Sequence, residues 1–188
     1  YKRSTGNRNI RISSLHTYMK YIDNILNTIT MYRLVLYVLV GLLGIAVLFS
    51  AYGLLPYDPL LLLFSIGFIS VTALVTNMVF ASTFQVPANV ESVYITAFIL
   101  ALIITPPQTV YNTDFLILAL WASILSIASK YIIAIYKKHI FNPVAIGVAL
   151  TALTLGLSAT WWVGTTVMLP YVLIGGLLIV RKTLRSDL

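Results

Sequence analysis

The sequence has no cysteine, only two histidines and only five acidic residues in 188. Without cysteine there are no disulfides, thiolate metal sites or cysteine nucleophiles. So few His, Asp and Glu also leave little from which to build a protein-held metal centre. Charge of either sign is scarce: 9% of residues are charged and 60% are hydrophobic. Soluble domains carry about 25% charged residues, and the mean hydropathy here is +0.96. Several apolar runs approach or exceed the ~20 residues that a helix needs to cross a bilayer core. This is the composition of an integral membrane protein. The first 33 residues hold six basic residues but no short apolar core with a small-residue cleavage site, so they do not read as a signal peptide.

Residues 10–31 place Ile12, Leu15, Met19, Ile22, Leu26 and Ile29 at alternating steps of three and four, with Arg11 and Lys20 off the stripe. This spacing predicts an amphipathic helix lying on the membrane surface, with a partner-facing helix as the alternative. Long apolar segments follow at 34–55, 59–81, 114–136 and 161–180, each long enough to cross. Two shorter segments stand between them. Residues 91–105 run into Pro106-Pro107, and residues 143–157 start at the Asn142-Pro143 step. Such lengths make roughly 22 Å of helix, short of a ~30 Å core. The expected fold is therefore all-α and polytopic, with about six transmembrane helices of which the third and fifth are short or broken.

Charge placement supports that parse. Lys2, Arg3, Arg8, Arg11, Lys20, Arg33, Lys137, Lys138, Arg181, Lys182 and Arg185 all fall in segments on one side, and Lys130 lies in the inner half of the fourth span. The loops on the other side carry Asp58 and Asp114. By the positive-inside rule both termini are cytoplasmic in a cell (inner) membrane, and the net charge of +7 belongs to orientation, not to nucleic acid. Residues 1–33 then form a cytoplasmic segment and 34–182 the membrane domain. Residues 183–188 are read as a cytoplasmic tail, truncated or continuing in a longer parent protein. Tyr111 and Trp161-Trp162 are expected at the outer interface as an aromatic belt.

Short membrane helices expose backbone N–H groups and the positive end of a dipole inside the protein. Both short helices are expected to begin on the cytoplasmic side, at "NVES" (Asn89 to Ser92) and "FNP" (Phe141 to Pro143). Glu91, Lys130 and Asn142 are thus expected to converge near the inner leaflet, with Ser92 and Thr96 on the same short helix. Each has a plainer role to weigh against this: a dipole partner for Glu91, snorkelling for Lys130, a helix N-cap for Asn142.

At these residues the chain resembles a known family. "ESVYITAFILALIITPP" followed by "SKYIIAIYKKHIFNPVAIG" is similar to the RnfD/NqrB membrane subunits of ion-translocating electron-transport complexes. It also resembles the membrane part of single-chain oxidoreductases that join such a domain to a ferredoxin-reductase-like domain. Lys130 precedes Asn142 at the family's separation, and Glu91, Thr96 and Pro106-Pro107 fall in the corresponding order. The resemblance implies a membrane-embedded flavin carrier that passes electrons, with Na+ or H+ as candidate coupling ion, on a fold of two inverted five-helix repeats. It implies Asn142, Lys130, Ser92 and Thr96 as flavin contacts and Glu91 as an ion entry point. Members with covalent FMN carry it on a Thr in a Ser-Gly-Ala-Thr loop. Here the connection is "GLSATWW", with Thr160 in place but no Gly between Ser158 and Ala159 and no preceding Asp. The expectation is therefore a non-covalent flavin, FMN or riboflavin. Thr160 is the minor candidate for covalent attachment and is otherwise a helix cap at the outer interface.

The chain has no nucleotide-binding glycine fingerprint, so electrons are expected from a soluble NAD(P)H- or ferredoxin-linked reductase domain or subunit. A homodimer, or a separate second membrane half, is expected to complete the fold. The rival reading is a small-solute channel or transporter built on the same short helices, and a purely structural assembly subunit is the third.

Overall fold

The computed structural model describes residues 28–87, 89–135, 138–139 and 142–186. The amphipathic stripe of residues 10–31 lies almost wholly outside them. Six α-helices make up most of the described chain: α1 (Met31–Ala51), α2 (Pro59–Phe84), α3 (Val90–Ile103), α4 (Thr113–Ile132), α5 (Pro143–Leu155) and α6 (Leu169–Ser186). Three of them, α1, α2 and α4, are long and apolar enough to cross a membrane. The protein is an α-helical membrane protein, with α3 and α5 short as the sequence predicts.

Each of the first five helices starts on a polar cap. Thr30, Asp58, Asn89, Asn112 and Asn142 each accept a hydrogen bond from a first-turn N–H of the helix they open. Pro59 and Pro143 occupy the next position, where a missing N–H does no harm. At α5's other end the chain leaves through Gly156 at φ 67°, a left-handed conformation suited to glycine.

The helices alternate direction between two ends of the bundle. At one end Arg33 of α1 meets Glu91 of α3, Lys130 of α4 meets Ser92, and Thr183 of α6 meets Met31. At the other end Phe49 of α1 contacts Tyr171 of α6, and Tyr57, just before α2, contacts Trp162. We call these the basic end and the acidic end, since Asp58 and Asp114 open helices at the second. Short α3 is the centre of the bundle: Val93, Ala97, Leu100 and Ala101 are fully buried against α1, α2 and α4. Helix α2 is apolar all round. Leu62, Ile69 and Ala73 face inward while Leu60, Val71, Val75 and Met78 face out, as a lipid-facing helix requires.

The most intimate helix pair is α4 with α5. A Cβ at Gly147 would lie 2.7 Å from both the Ala122 carbonyl oxygen and the Ser126 nitrogen, and would collide with the Ser126 hydroxyl. Small residues let these backbones touch, which is how membrane helices associate where the hydrophobic effect supplies no force between them.

Three details differ from the sequence reading. The fourth span, expected over residues 114–136, ends at Ile132, because Ala134–Ile135 and Lys138–His139 pair as a two-residue antiparallel ladder. The last apolar run does not start a helix at Trp161. Trp161 is left-handed (φ 52°), Trp162–Gly164 forms a 3-10 turn, and α6 begins only at Leu169. Between Leu169 and the cation at Arg181 that leaves about 18 Å of apolar helix. Finally, Tyr111 and Trp161 are exposed as a belt would have them, but Trp162 is buried. Its indole N–H has a partner inside: the Ala101 carbonyl, 3.0 Å away.

Candidate functional site

The basic end contains most of the residues singled out from sequence. The Lys130 ammonium donates to the Ser92 carbonyl oxygen at 2.8 Å and to the Ser92 hydroxyl at 3.0 Å. Thr96 donates to the same carbonyl at 2.9 Å. Lys130, Ser92 and Thr96 thus form one polar locus, joining the end of α4 to the first turns of α3. Glu91 does not belong to it. Its carboxylate accepts from Arg33 Nε at 3.3 Å, with both side chains about half exposed, a pair that contributes little in such surroundings. Asn142 is exposed, and its Oδ1 accepts from Val144 N at 3.0 Å. The amide thereby serves as the cap of α5. Nearby, the Tyr131 hydroxyl donates to Asn77 Oδ1 at 2.7 Å, tying α4 to α2.

The acidic end holds a second arrangement, built from the C-termini of the two short helices. Pro106-Pro107 cannot continue α3, and a residue before proline is driven out of the helical region. The chain leaves α3 extended at Ile104 (ψ 119°). The segment after Gly156 returns alongside it. The Ile103 carbonyl oxygen accepts from both Thr160 N (3.0 Å) and Trp161 N (3.1 Å). Trp162 reaches the Ala101 carbonyl, and the Thr105 and Thr160 hydroxyls are bonded to one another. The carbonyls that the end of α3 would leave unpaired in an apolar interior thereby find donors. Holding Trp161 left-handed costs about 1–2 kcal/mol for a residue with a Cβ, and this junction is where that strain sits.

Thr160 is accordingly not a helix cap. The short 3-10 turn behind it has no side-chain cap, and its nominal cap position is Trp161. Instead the Thr160 hydroxyl faces Thr105 on a cavity of about 390 Å³. Pro106, Pro107, Phe115, Leu118 and Leu157 supply apolar wall. Thr105, Gln108, Asn112, Asp114, Ser158 and Thr160 supply hydrogen-bonding groups. The volume falls in the ~300–1,000 Å³ range of small-molecule sites, which are apolar with a few placed polar groups. Asn112 Oδ1 is already committed to the Phe115 N–H, capping α4. Asp114 stands in the first turn of α4, and among the described residues no hydrogen bond or ion pair engages its carboxylate. Close by, burial pushes the Tyr57 phenol above its ordinary range.

Sequence reasoning looked for chemistry where the short helices begin, and so missed Gln108, Asn112 and Asp114 where they end. The available signal was the double proline followed within one loop by Asn-Thr-Asp, a cap plus an acid opening the next helix. Among the described residues no group of three His, Cys, Asp or Glu is arranged to hold a metal ion. No family model, curated protein or solved structure matches the chain.

Proposed function

We propose that the protein is a membrane-embedded, flavin-binding electron-transfer module, crossing the cell membrane six times with its basic end toward the cytoplasm. The observation that carries this reading is the acidic-end cavity, where the interrupted ends of α3 and α5 are tied together around Thr105 and Thr160. Its donor and acceptor set suits a flat, largely apolar ring system with polar atoms along its edges. Pro106, Pro107 and Phe115 offer the faces, while Gln108, Ser158 and the threonines offer edge contacts. Resemblance of the "ESVYITAFILALIITPP" and "KKHIFNPVAIG" stretches to the RnfD/NqrB subunits points the same way. A flavin held there would supply the electron-carrying chemistry, and the protein orientation and hydrogen bonds. Lys130, Ser92 and Thr96 set the start of α3 from the other end of the bundle. Electrons come from a soluble reductase domain or subunit, and Na+ or H+ coupling belongs to the same proposal.

The test is direct. Protein purified in detergent should be yellow, with a flavin absorption spectrum and a stoichiometric flavin content. Replacement of Thr160 by Val, isosteric but without the hydroxyl, should lower that content. Flavin loss in Lys130→Met with full retention in Thr160→Val would move the site to the basic end. Colourless parent protein would sink the reading.

A second reading, a small-solute channel or transporter, is favoured by one observation: the unengaged Asp114 carboxylate on the cavity wall. It predicts solute flux into protein-containing vesicles with no bound chromophore.

A further inference from the structure

Helix α6 stands at the rim of the bundle, packed mainly on α1 and on the turn at Trp162–Gly164. The two helices run antiparallel, with Thr183 bonded to Met31 at the basic end and Phe49 against Tyr171 at the other. They touch at Val38 and Gly175, where an added Cβ would lie 2.6 Å from Val38 Cγ1. Beside that contact they leave an open groove of about 160 Å³, walled by Gly41, Leu42 and Ile45 of α1 and by Ile174 and Leu178 of α6. A Cβ at Gly41 would meet nothing within 4 Å, so this glycine keeps the groove open. Among the described residues that line it, the Tyr171 hydroxyl is the only polar side-chain group. The groove is smaller than the ~300–1,000 Å³ of small-molecule sites and has too few polar groups to orient a ring system. A flexible hydrocarbon chain needs no such groups.

Charge decides which hydrocarbon chain. Lys182 stands four residues beyond Leu178, on the same face of α6 and one turn nearer the basic end, with Arg181 beside it. Both are already engaged within the chain, but an ammonium has three donors and a guanidinium five. The stretch "RKTLRSDL" that closes the sequence holds three cations against one acid. Among the described residues the one acid at this end, Glu91, pairs with Arg33. Only about 18 Å of apolar helix separates Leu169 from Arg181. That is short for a ~30 Å core, which draws these cations to the depth of the lipid phosphates.

We propose that the α1–α6 groove is a lipid site, which seats an acyl chain of an anionic phospholipid whose headgroup phosphate is held at Arg181 and Lys182. The site is separate from the acidic-end cavity and does not depend on what that cavity holds. A cation near an anionic lipid surface contributes about five-fold in affinity.

The experiment is native mass spectrometry of the full chain in detergent, titrated with dioleoylphosphatidylglycerol or with dioleoylphosphatidylcholine, which has the same chains and no net charge. The parent protein should bind the phosphatidylglycerol about five-fold more tightly, or better. Gly41→Leu fills the groove and should lose most of the bound phosphatidylglycerol. Arg181→Gln combined with Lys182→Gln should bring the two lipids to equal affinity, whereas Arg181→Lys with Lys182→Arg should keep the preference. Thermal unfolding checks that each variant is folded. Equal affinities in the parent protein, or unchanged phosphatidylglycerol binding in a folded Gly41→Leu, would overturn the proposal. So would a preference that survives in the folded double Gln variant. A parent dimer that Gly41→Leu dissociates would give the groove to a second copy and overturn it as well.

Discussion

The Lys130 ammonium and the first turn of α3 are joined through a single residue: Nζ lies 2.8 Å from the Ser92 carbonyl oxygen and 3.0 Å from its hydroxyl. A cation inside a helical membrane protein finds its partners in neutral oxygens here, while Glu91, the residue next to Ser92, pairs with Arg33. The tie fixes where α3 starts, and with it the depth at which α3 ends beneath the cavity.

Replacing Lys130 by Met keeps the stem and removes three donors. The variant should unfold more easily by about 1–3 kcal/mol, the usual range for losing a charge-assisted bond in partly buried surroundings. Ser92→Ala should have a smaller effect, because its carbonyl remains available to Lys130 and Thr96. Melting in detergent checks the order of the two.

Gly147→Ala should be destabilising although alanine is the better helix former. The new Cβ would sit 2.7 Å from backbone atoms of α4 that cannot turn aside, and overpacking of this kind costs typically 1–3 kcal/mol. Gly67→Ala, where nothing lies within 4 Å, should instead gain about 1 kcal/mol from propensity. Opposite signs in one melting series would distinguish contact from propensity.

Trp162→Phe should loosen the junction that closes the acidic end. It leaves the Ala101 carbonyl without the indole donor that now sits 3.0 Å away, a loss of about 1–3 kcal/mol for a buried acceptor. At the neighbouring position Trp161→Gly should relax the left-handed backbone and recover about 1–2 kcal/mol. Unfolding midpoints of both variants provide the check.

Asn142→Ala should behave as the loss of a helix cap. The Val144 N–H loses its acceptor at 3.0 Å, for about 1 kcal/mol, and cofactor content should stay at the parent level. Flavin released in step with the substitution would mean that the amide has a second partner.

Orientation can be read with single cysteines, since the parent sequence contains none. Labels at positions 58 and 114 should react with an impermeant thiol reagent from the outer side of intact cells. Reaction only from the cytoplasmic side would invert the arrangement and place the cavity there.

Much of the architecture was legible in one dimension because its causes are local. Apolar run length set α1, α2 and α4, and Asp58-Pro59 and Asn142-Pro143 announced their helix starts by capping chemistry that acts within three residues. The shortness of α3 and α5 followed from Pro106-Pro107 and from the Asn-Pro step. The late start of α6 was not legible: Trp161, Trp162 and Val163 are as apolar as any span. What turns them into a bent junction is the carbonyls of Ala101 and Ile103, some 60 positions earlier, asking for donors.

The same division holds for the candidate site. Sequence by itself determined that this is an all-helical membrane protein, where its first five helices lie to within a few residues, that two of them are short, and that its cations crowd toward one side. Those properties depend on composition and on neighbours along the chain. Only the tertiary structure decided that Lys130 takes Ser92 and leaves Glu91 to Arg33. It alone brought Thr105, Asp114 and Thr160 to one cavity. A buried polar group takes whichever partner the packed helices bring within about 3 Å, and the two loops and the start of α4 meet there only once α3 and α5 have packed against α4.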